Sequence, residues 1–229
     1  MGAATGPGSA AAGGLPPWLV PLADAVDLVT PEQLSRLLPP EDGGRPGAVL
    51  VLFGEDVDGP DVLILQRAAD MRSHPGQPAF PGGAVDPGDD GPVAAALREA
   101  AEETGLDPTG VQVFATLPSL WLPPSGFVVT PVLAWWRTPS AVHPAIPAEV
   151  AAVHRVPVAE LVDPANRVRV RHPSGYVGPA FAVRGMLVWG FTGGLLDRIL
   201  SIAGLALPWD TDRVVPLPDS ALRADGTGP

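Results

Sequence analysis

The sequence predicts an α/β fold, a mixed β-sheet between helices in one α/β/α sandwich. Three observations carry that expectation. Short apolar runs bounded by Gly and Pro alternate with alanine- or leucine-rich helical stretches. The alternation lacks the even βαβ rhythm of an all-parallel sheet, so strands of both directions are expected. No segment repeats, and 229 residues with 46% hydrophobic side chains suffice for one core.

The elements follow in order. MGAATGPGSAAAGG at the start and ALRADGTGP at the end have the small, polar-neutral composition of mobile ends. A flexible segment is therefore expected over 1–20, a single domain over 21–204 and a mostly irregular extension over 205–229. TPEQLSRLLPP (30–40) reads as a short helix with Thr30 as N-cap and Pro31 at the first position, ended by prolines. GAVLVLFG (47–54) and DVLILQRA (61–68) read as strands joined by EDVDGP. The glycine- and proline-rich stretch 70–91 reads as a long loop without regular structure. PVAAALREAAEETG (92–105) is a helix with Gly105 just past its end. Strands are expected at 111–117 and 127–136, and a strand then a short helix over 148–161. YVGPAFAV and MLVWGF read as strands or as strand running into helix, and TGGLLDRILSIAG as an apolar-faced helix.

Charge and composition exclude several functions. The net charge is −11, and every one of the 14 basic residues is arginine. No basic surface is available to displace counterions from nucleic acid. The absence of cysteine rules out disulfides and thiol catalysis. The start lacks the pattern of a signal peptide, and no apolar run is long enough to span a bilayer, so a soluble cytoplasmic protein is the expectation.

LREAAEETGL (97–106) places Glu99, Glu102 and Glu103 on one turn of helix. Like charges three or four apart cost roughly 0.2–0.5 kcal/mol per pair unless something neutralises them. Either this face is simply solvated, or a cation belongs there. Arg98 precedes Glu102 by four residues, the weaker orientation for supporting a helix, and suits aiming a carboxylate better. A glycine-rich loop, FPGGAVDPGDDG, lies immediately upstream and permits close backbone approach to a ligand. Hard divalent cations take carboxylate oxygens together with substrate phosphates.

Arg98 to Leu106 resembles the second half of the Nudix box, R-E-U-x-E-E-x-G-U with U aliphatic. Five fixed identities make a chance match about one in a million per starting point. The first half departs: six residues separate Gly83 from Asp90, one more than in the standard box, and the acid is Asp rather than Glu. That spacing argues against a direct metal role for Asp89 or Asp90. Leu63 to Gly83, LILQRAADMRSHPGQPAFPGG, resembles the L-L-T-x-R-(S/A)-x3-R-x3-G-x3-F-P-G-G motif of coenzyme A pyrophosphatases. Arg67, Ala68, Arg72, Gly76, Phe80, Pro81, Gly82 and Gly83 fall in register, while Ile64 and Leu65 depart. Blocks at 125–135, 148–161 and 188–196 resemble later parts of the same enzymes, so the likeness spans roughly 45–200.

The resemblance implies a Nudix-type sandwich that hydrolyses a small-molecule diphosphate, coenzyme A or a derivative, to 3′,5′-ADP and 4′-phosphopantetheine. It implies Mg²⁺ or Mn²⁺ held by Glu99, Glu102 and Glu103, with one glutamate serving as general base and Arg98 orienting a glutamate. Glu149 is the candidate for a further carboxylate from a later loop. Arg67 and Arg72 are the candidate phosphate contacts, since arginine forks suit phosphate, with Gly82 and Gly83 lining the site. His74 fits either a phosphate contact or a loop hydrogen bond. His143, His154 and His172 are expected to be structural or exposed, and Phe80, Trp135, Trp136 and Trp189 to be core. A homodimer is usual for the superfamily. Rival readings are a Nudix enzyme for ADP-ribose or another nucleoside diphosphate derivative, a non-catalytic Nudix regulator, and an acidic interaction module. The last explains none of the spacing.

Overall fold

The computed structural model describes residues 13–35, 37–40, 43–71, 74–123, 125–218 and 221. Arg72 lies outside the described residues. Strand β1 (Arg45–Asp56) forms the centre of the larger sheet and is buried along most of its length. Alternate side chains of β1 feed two cores: Ala48, Leu50 and Leu52 face one layer, Val51 and Phe53 the other. Burial on both faces explains why GAVLVLFG is apolar without alternation.

Antiparallel β2 (Gly59–Arg67) pairs with the end of β1 through the turn at 57–58. Short strands β3 (Pro78–Ala79) and β4 (Gly82–Ala84) lie inside the stretch expected to be irregular. That expectation fails because β4 takes backbone pairing from β1 and β3 from β2, and glycine and proline do not prevent two- and three-residue ladders. Helix α3 (Gly91–Thr104) follows, with Pro92 in its first turn and Gly105 left-handed at φ 68°. The antiparallel pair β5 (Val111–Thr116) and β7 (Phe127–Trp136) comes next, with β6 (Leu120–Leu122) between them in sequence and paired to β7. β7 runs parallel to β1 from Arg45–Phe127 to Phe53–Trp135, which requires the long crossover that contains α3. β8 (Val150–Pro157) pairs with β2 and leads into α4 (Val158–Val162). Among the described residues the order is β3-β2-β1-β7-β5, with β4 on β1, β6 on β7 and β8 on β2.

A second sheet was not expected. It contains β9 (Arg167–Arg171), β10 (Val177–Val183), β11 (Met186–Val188) and β12 (Val214–Pro216), in the order β11-β10-β9-β12. Helix α5 (Gly190–Ile202) packs between this sheet and the larger one, burying Leu195, Leu196, Ile199 and Leu200. α1 (Val20–Ala25) joins the same core, whereas α3 covers the opposite face of the larger sheet. The result is an α/β fold with helices on both sides of a mixed sheet.

Parts of both chain ends are held by packing or pairing where they are described. Leu19 is fully buried, and Trp18 stacks edge-on against Phe53 and Trp135, so apolar contact holds part of the segment before residue 20. β12 and buried Leu217 tie the segment after residue 204 to the second sheet. The helix expected over 30–40 is only Pro31–Leu34, α2, with Thr30 N–H donating to Gln33 Oε1 at 2.8 Å.

Candidate active site

The site forms where α3 crosses β4. Ala95, Ala96 and Ala100 are buried beneath the helix, and such small side chains let it approach the sheet closely. The approach is close enough that a Cβ on Gly83 would lie 2.4 Å from Glu99 Oε1. A Cβ on Gly82 would lie 2.3 Å from Ala48 O, so the two glycines meet different obstacles, a carboxylate and the backbone of β1. Gly82 N–H donates to Glu103 Oε2 at 2.9 Å.

Glu103 is 6% exposed. Burial pushes its carboxyl up to about 7, against the Gly82 N–H bond, with Glu99 and Glu149 adding repulsion and Arg67 attraction. Glu99 is also raised, first by burial, with Arg98 opposing. Glu102 points outward, its side chain 52% exposed.

Arg98 organises the rim. Its Nε and Nη2 donate to the two oxygens of Asp89, each at 3.0 Å, and Nη2 also donates to Ala84 O at 3.1 Å. Nη1 reaches Glu99 Oε1 at 3.0 Å and Glu102 Oε2 at 3.3 Å. The Arg98 bond holds Asp89 below the usual carboxylate range. Asp86 N–H donates to Asp89 Oδ2 at 2.8 Å, closing the turn. The irregular spacing before the helix thus delivers Asp89, not Asp90, to the arginine. The sequence contains both acids but no signal to choose between them.

Arg67 ends β2 near Glu103, and its buried Nε has no hydrogen-bond partner among the described residues. Glu149 is brought to the same place by backbone bonds: Ala68 N–H donates to Glu149 O at 2.8 Å, and Ala145 N–H to Glu103 O at 3.1 Å. His74 has a left-handed φ of 52° in the loop before β3, where Gln77 N–H donates to its carbonyl at 3.3 Å. Glu99, Glu103, Gly82, Gly83, Arg67 and Glu149 are thereby gathered, with Glu102 and Arg98 on the outer edge.

The donor set fits a hard divalent cation: carboxylate oxygens crowded on one helical face, two of them with protonation favoured by burial. A cation replaces the proton that burial favours, because either neutralises the buried charge. Among the described residues, however, no three of these groups already surround one point. Arg98 and the Gly82 N–H hold the carboxylates on separate partners.

The sandwich sets its acid-lined helix against a glycine strand, a cluster whose donors fit a hard divalent cation. Residues 44–175 match the NUDIX domain model, so the chain belongs to the Nudix family of hydrolases. It is 39% identical over 153 residues to the "uncharacterized Nudix hydrolase NudL" of Enterobacter sp. (strain 638), covering 64% of this chain and 77% of that one. The NudL of Cronobacter sakazakii is 41% identical over 147 residues, covering 61% of this chain and 73% of that protein. Among solved structures, the Nudix hydrolase RenU of M. smegmatis aligns at a TM-score of 0.52 and 20% identity. That alignment covers 76% of this chain and 97% of RenU, a likeness of fold. No helix among the described residues is long and apolar enough to cross a membrane.

Proposed function

We propose that this protein hydrolyses the diphosphate linkage of coenzyme A or a derivative, releasing 3′,5′-ADP and 4′-phosphopantetheine with Mg²⁺ or Mn²⁺ bound. The observation that carries the reading is the joining of two motifs. The arginine and glycines of the RAADMRSHPGQPAFPGG segment, Arg67, Gly82 and Gly83, border the carboxylates of the REAAEETGL segment. Glu99, Glu102 and Glu103, with Glu149 beside them, would hold the cation. When bound, it supplies charge neutralisation on the phosphoryl oxygens and acidifies an attacking water.

The chain's own groups do the rest. Arg67 offers a guanidinium edge to a phosphate oxygen. Gly82 and Gly83, lacking side chains, let the β1 backbone and the Glu99 carboxylate close on β4, so the carboxylates would face the diphosphate from a fixed place. Asp89 fixes Arg98, which aims Glu99 and Glu102. Water adds to one phosphorus, the bridging P–O bond breaks, and the water's proton leaves through a carboxylate of the cluster. Arg72 and His74 are the remaining candidate phosphate contacts.

The test is chromatography of coenzyme A, ADP-ribose, diadenosine polyphosphates and NADH after incubation with each metal. Metal-dependent release of 3′,5′-ADP from coenzyme A is expected. Turnover of ADP-ribose with none of coenzyme A or its thioesters would overturn the substrate assignment and leave the reaction class.

A further inference from the structure

Residues 137–149 link β7 to β8 and cross the end of α3 on the way. A helix leaves its last carbonyls without intrahelical partners. The loop supplies partners for two of them: His143 N–H donates to Thr104 O at 2.9 Å, and Ala145 N–H to Glu103 O at 3.1 Å. The His143 ring rests on Gly105, where a Cβ would lie 2.7 Å from its Cε1. The left-handed glycine that ends the helix therefore also makes room for the loop. His143 and Ala145 are exposed, so backbone bonds rather than burial hold this crossing.

Glu149 follows Ala145 by four residues, and the stretch between them has little slack. Pro144 and Pro147 fix their own φ and bias His143 and Ile146 towards extended backbone. Glu149 N–H and Val150 N–H both donate to Ile146 O, at 2.8 and 2.9 Å, which closes a turn before β8.

On the far side the β2–β8 pairing shifts register: Gln66 meets Ala152, but Arg67 meets Val150. The bulge at Ala151 brings Glu149 rather than Val150 opposite Ala68, whose N–H donates to Glu149 O at 2.8 Å. Glu149 is thus held from two directions, by the Glu103 peptide and by the strand end that carries Arg67. Glu103 feels the Glu149 charge as repulsion, so the two carboxylates are neighbours.

We propose that residues 143–149 are a positioning strap that sets Glu149 against Glu103, so that carboxylates from α3 and from this loop share one divalent cation. Ala145 acts only through its N–H and touches no substrate. The inference rests on the metal site of the reading above and deepens it by assigning what fixes the loop carboxylate.

The test is Mn²⁺ binding without substrate, followed by electron paramagnetic resonance of the free ion, at the site that Glu103→Gln removes. Ala145→Pro deletes the donor to Glu103 O. Insertion of one glycine between Ala145 and Ile146 keeps both anchors and lengthens the strap, and it carries the test where Ala145→Pro does not fold. Each change should weaken Mn²⁺ about tenfold, the usual effect of losing a group that orients a ligand. Glu149→Gln should weaken it as well, and combining it with either strap change should add nothing further, because the strap acts through that carboxylate. Wild-type affinity in the strap variants, or full additivity with Glu149→Gln, overturns the inference. Mn²⁺ binding indifferent to Glu103→Gln overturns it together with the metal site. Additive effects in a protein that cleaves coenzyme A sink the strap and leave the hydrolase reading intact. Coupled effects without cleavage of coenzyme A uphold the strap and sink the substrate assigned above.

Discussion

Glu103 and the two glycines beside it show how tightly backbone and carboxylate are fitted. One oxygen of buried Glu103 accepts from the Gly82 N–H, while burial still pushes its carboxyl up to about 7. Glu103→Gln keeps the shape and removes the charge, so hydrolysis should fall by at least about 10²-fold. Its circular dichroism should match the wild type. Gly83→Ala and Gly82→Ala form a sharper pair. The methyl of Gly83→Ala meets the movable end of Glu99, so kcat should drop about 10²-fold from misplacement while the melting temperature barely changes. The methyl of Gly82→Ala meets the Ala48 carbonyl, which cannot swing away, so this variant should lose about 1–3 kcal/mol of stability in urea titration. Equal melting temperatures for the two variants would contradict the geometry.

At the scale of elements, α3 and the turn before it act as a unit through Asp89. Asp89→Ala removes two hydrogen bonds from Arg98, which then no longer holds Glu99 and Glu102 in place. Activity should fall by about 10–100-fold, the usual effect of losing a positioning group. Amide exchange over 84–90 should also accelerate, since that turn is closed on Asp89. β8 carries a separate, pH-linked feature. His154, opposite Ile64, has its pKa lowered first by burial and then by Arg184. The folded imidazole is thus neutral where the unfolded one begins to protonate. Its contribution to stability is present above pH ~6.5 and is lost as pH falls through the lowered folded pKa. Replacing it, as in His154→Val, should flatten that acid-side loss when denaturation midpoints at pH 8 and pH 5 are compared.

Across the whole molecule, the second sheet and α5 are joined by a part-buried ion pair whose guanidinium is interior. Arg167 has a side chain with no exposure, pairs with Asp197, and lies between the rings of Phe181 at 4.3 Å and Trp209 at 4.5 Å. Trp209 belongs to the segment after residue 204, so the same arginine also contacts that segment. Asp197→Ala leaves a buried guanidinium uncompensated and should cost about 3 kcal/mol in chemical denaturation, without changing metal-dependent turnover directly. The RVRVR pattern of β9 alternates as a strand should. Even so, three arginines among short proline-broken runs offered no sequence cue that one of them would be interior.

The sequence by itself determined the central strands, helix α3 with its Gly105 stop, and the identity of the crowded glutamates. Those features are set by local periodicity, capping and the spacing of residues on one turn. Tertiary structure decided the rest. β4 exists only because β1 offers it a backbone ladder, and Asp89 rather than Asp90 meets Arg98 because the Asp86 turn closes there. Arg45 meets Phe127 only because β1 and β7 run parallel in register. Contacts between residues far apart in the chain depend on strand pairing and packing, which no single window of sequence encodes. The crowding in LREAAEETGL was legible from spacing; the buried state of Glu103, its Gly82 partner and its neighbour Glu149 required the fold.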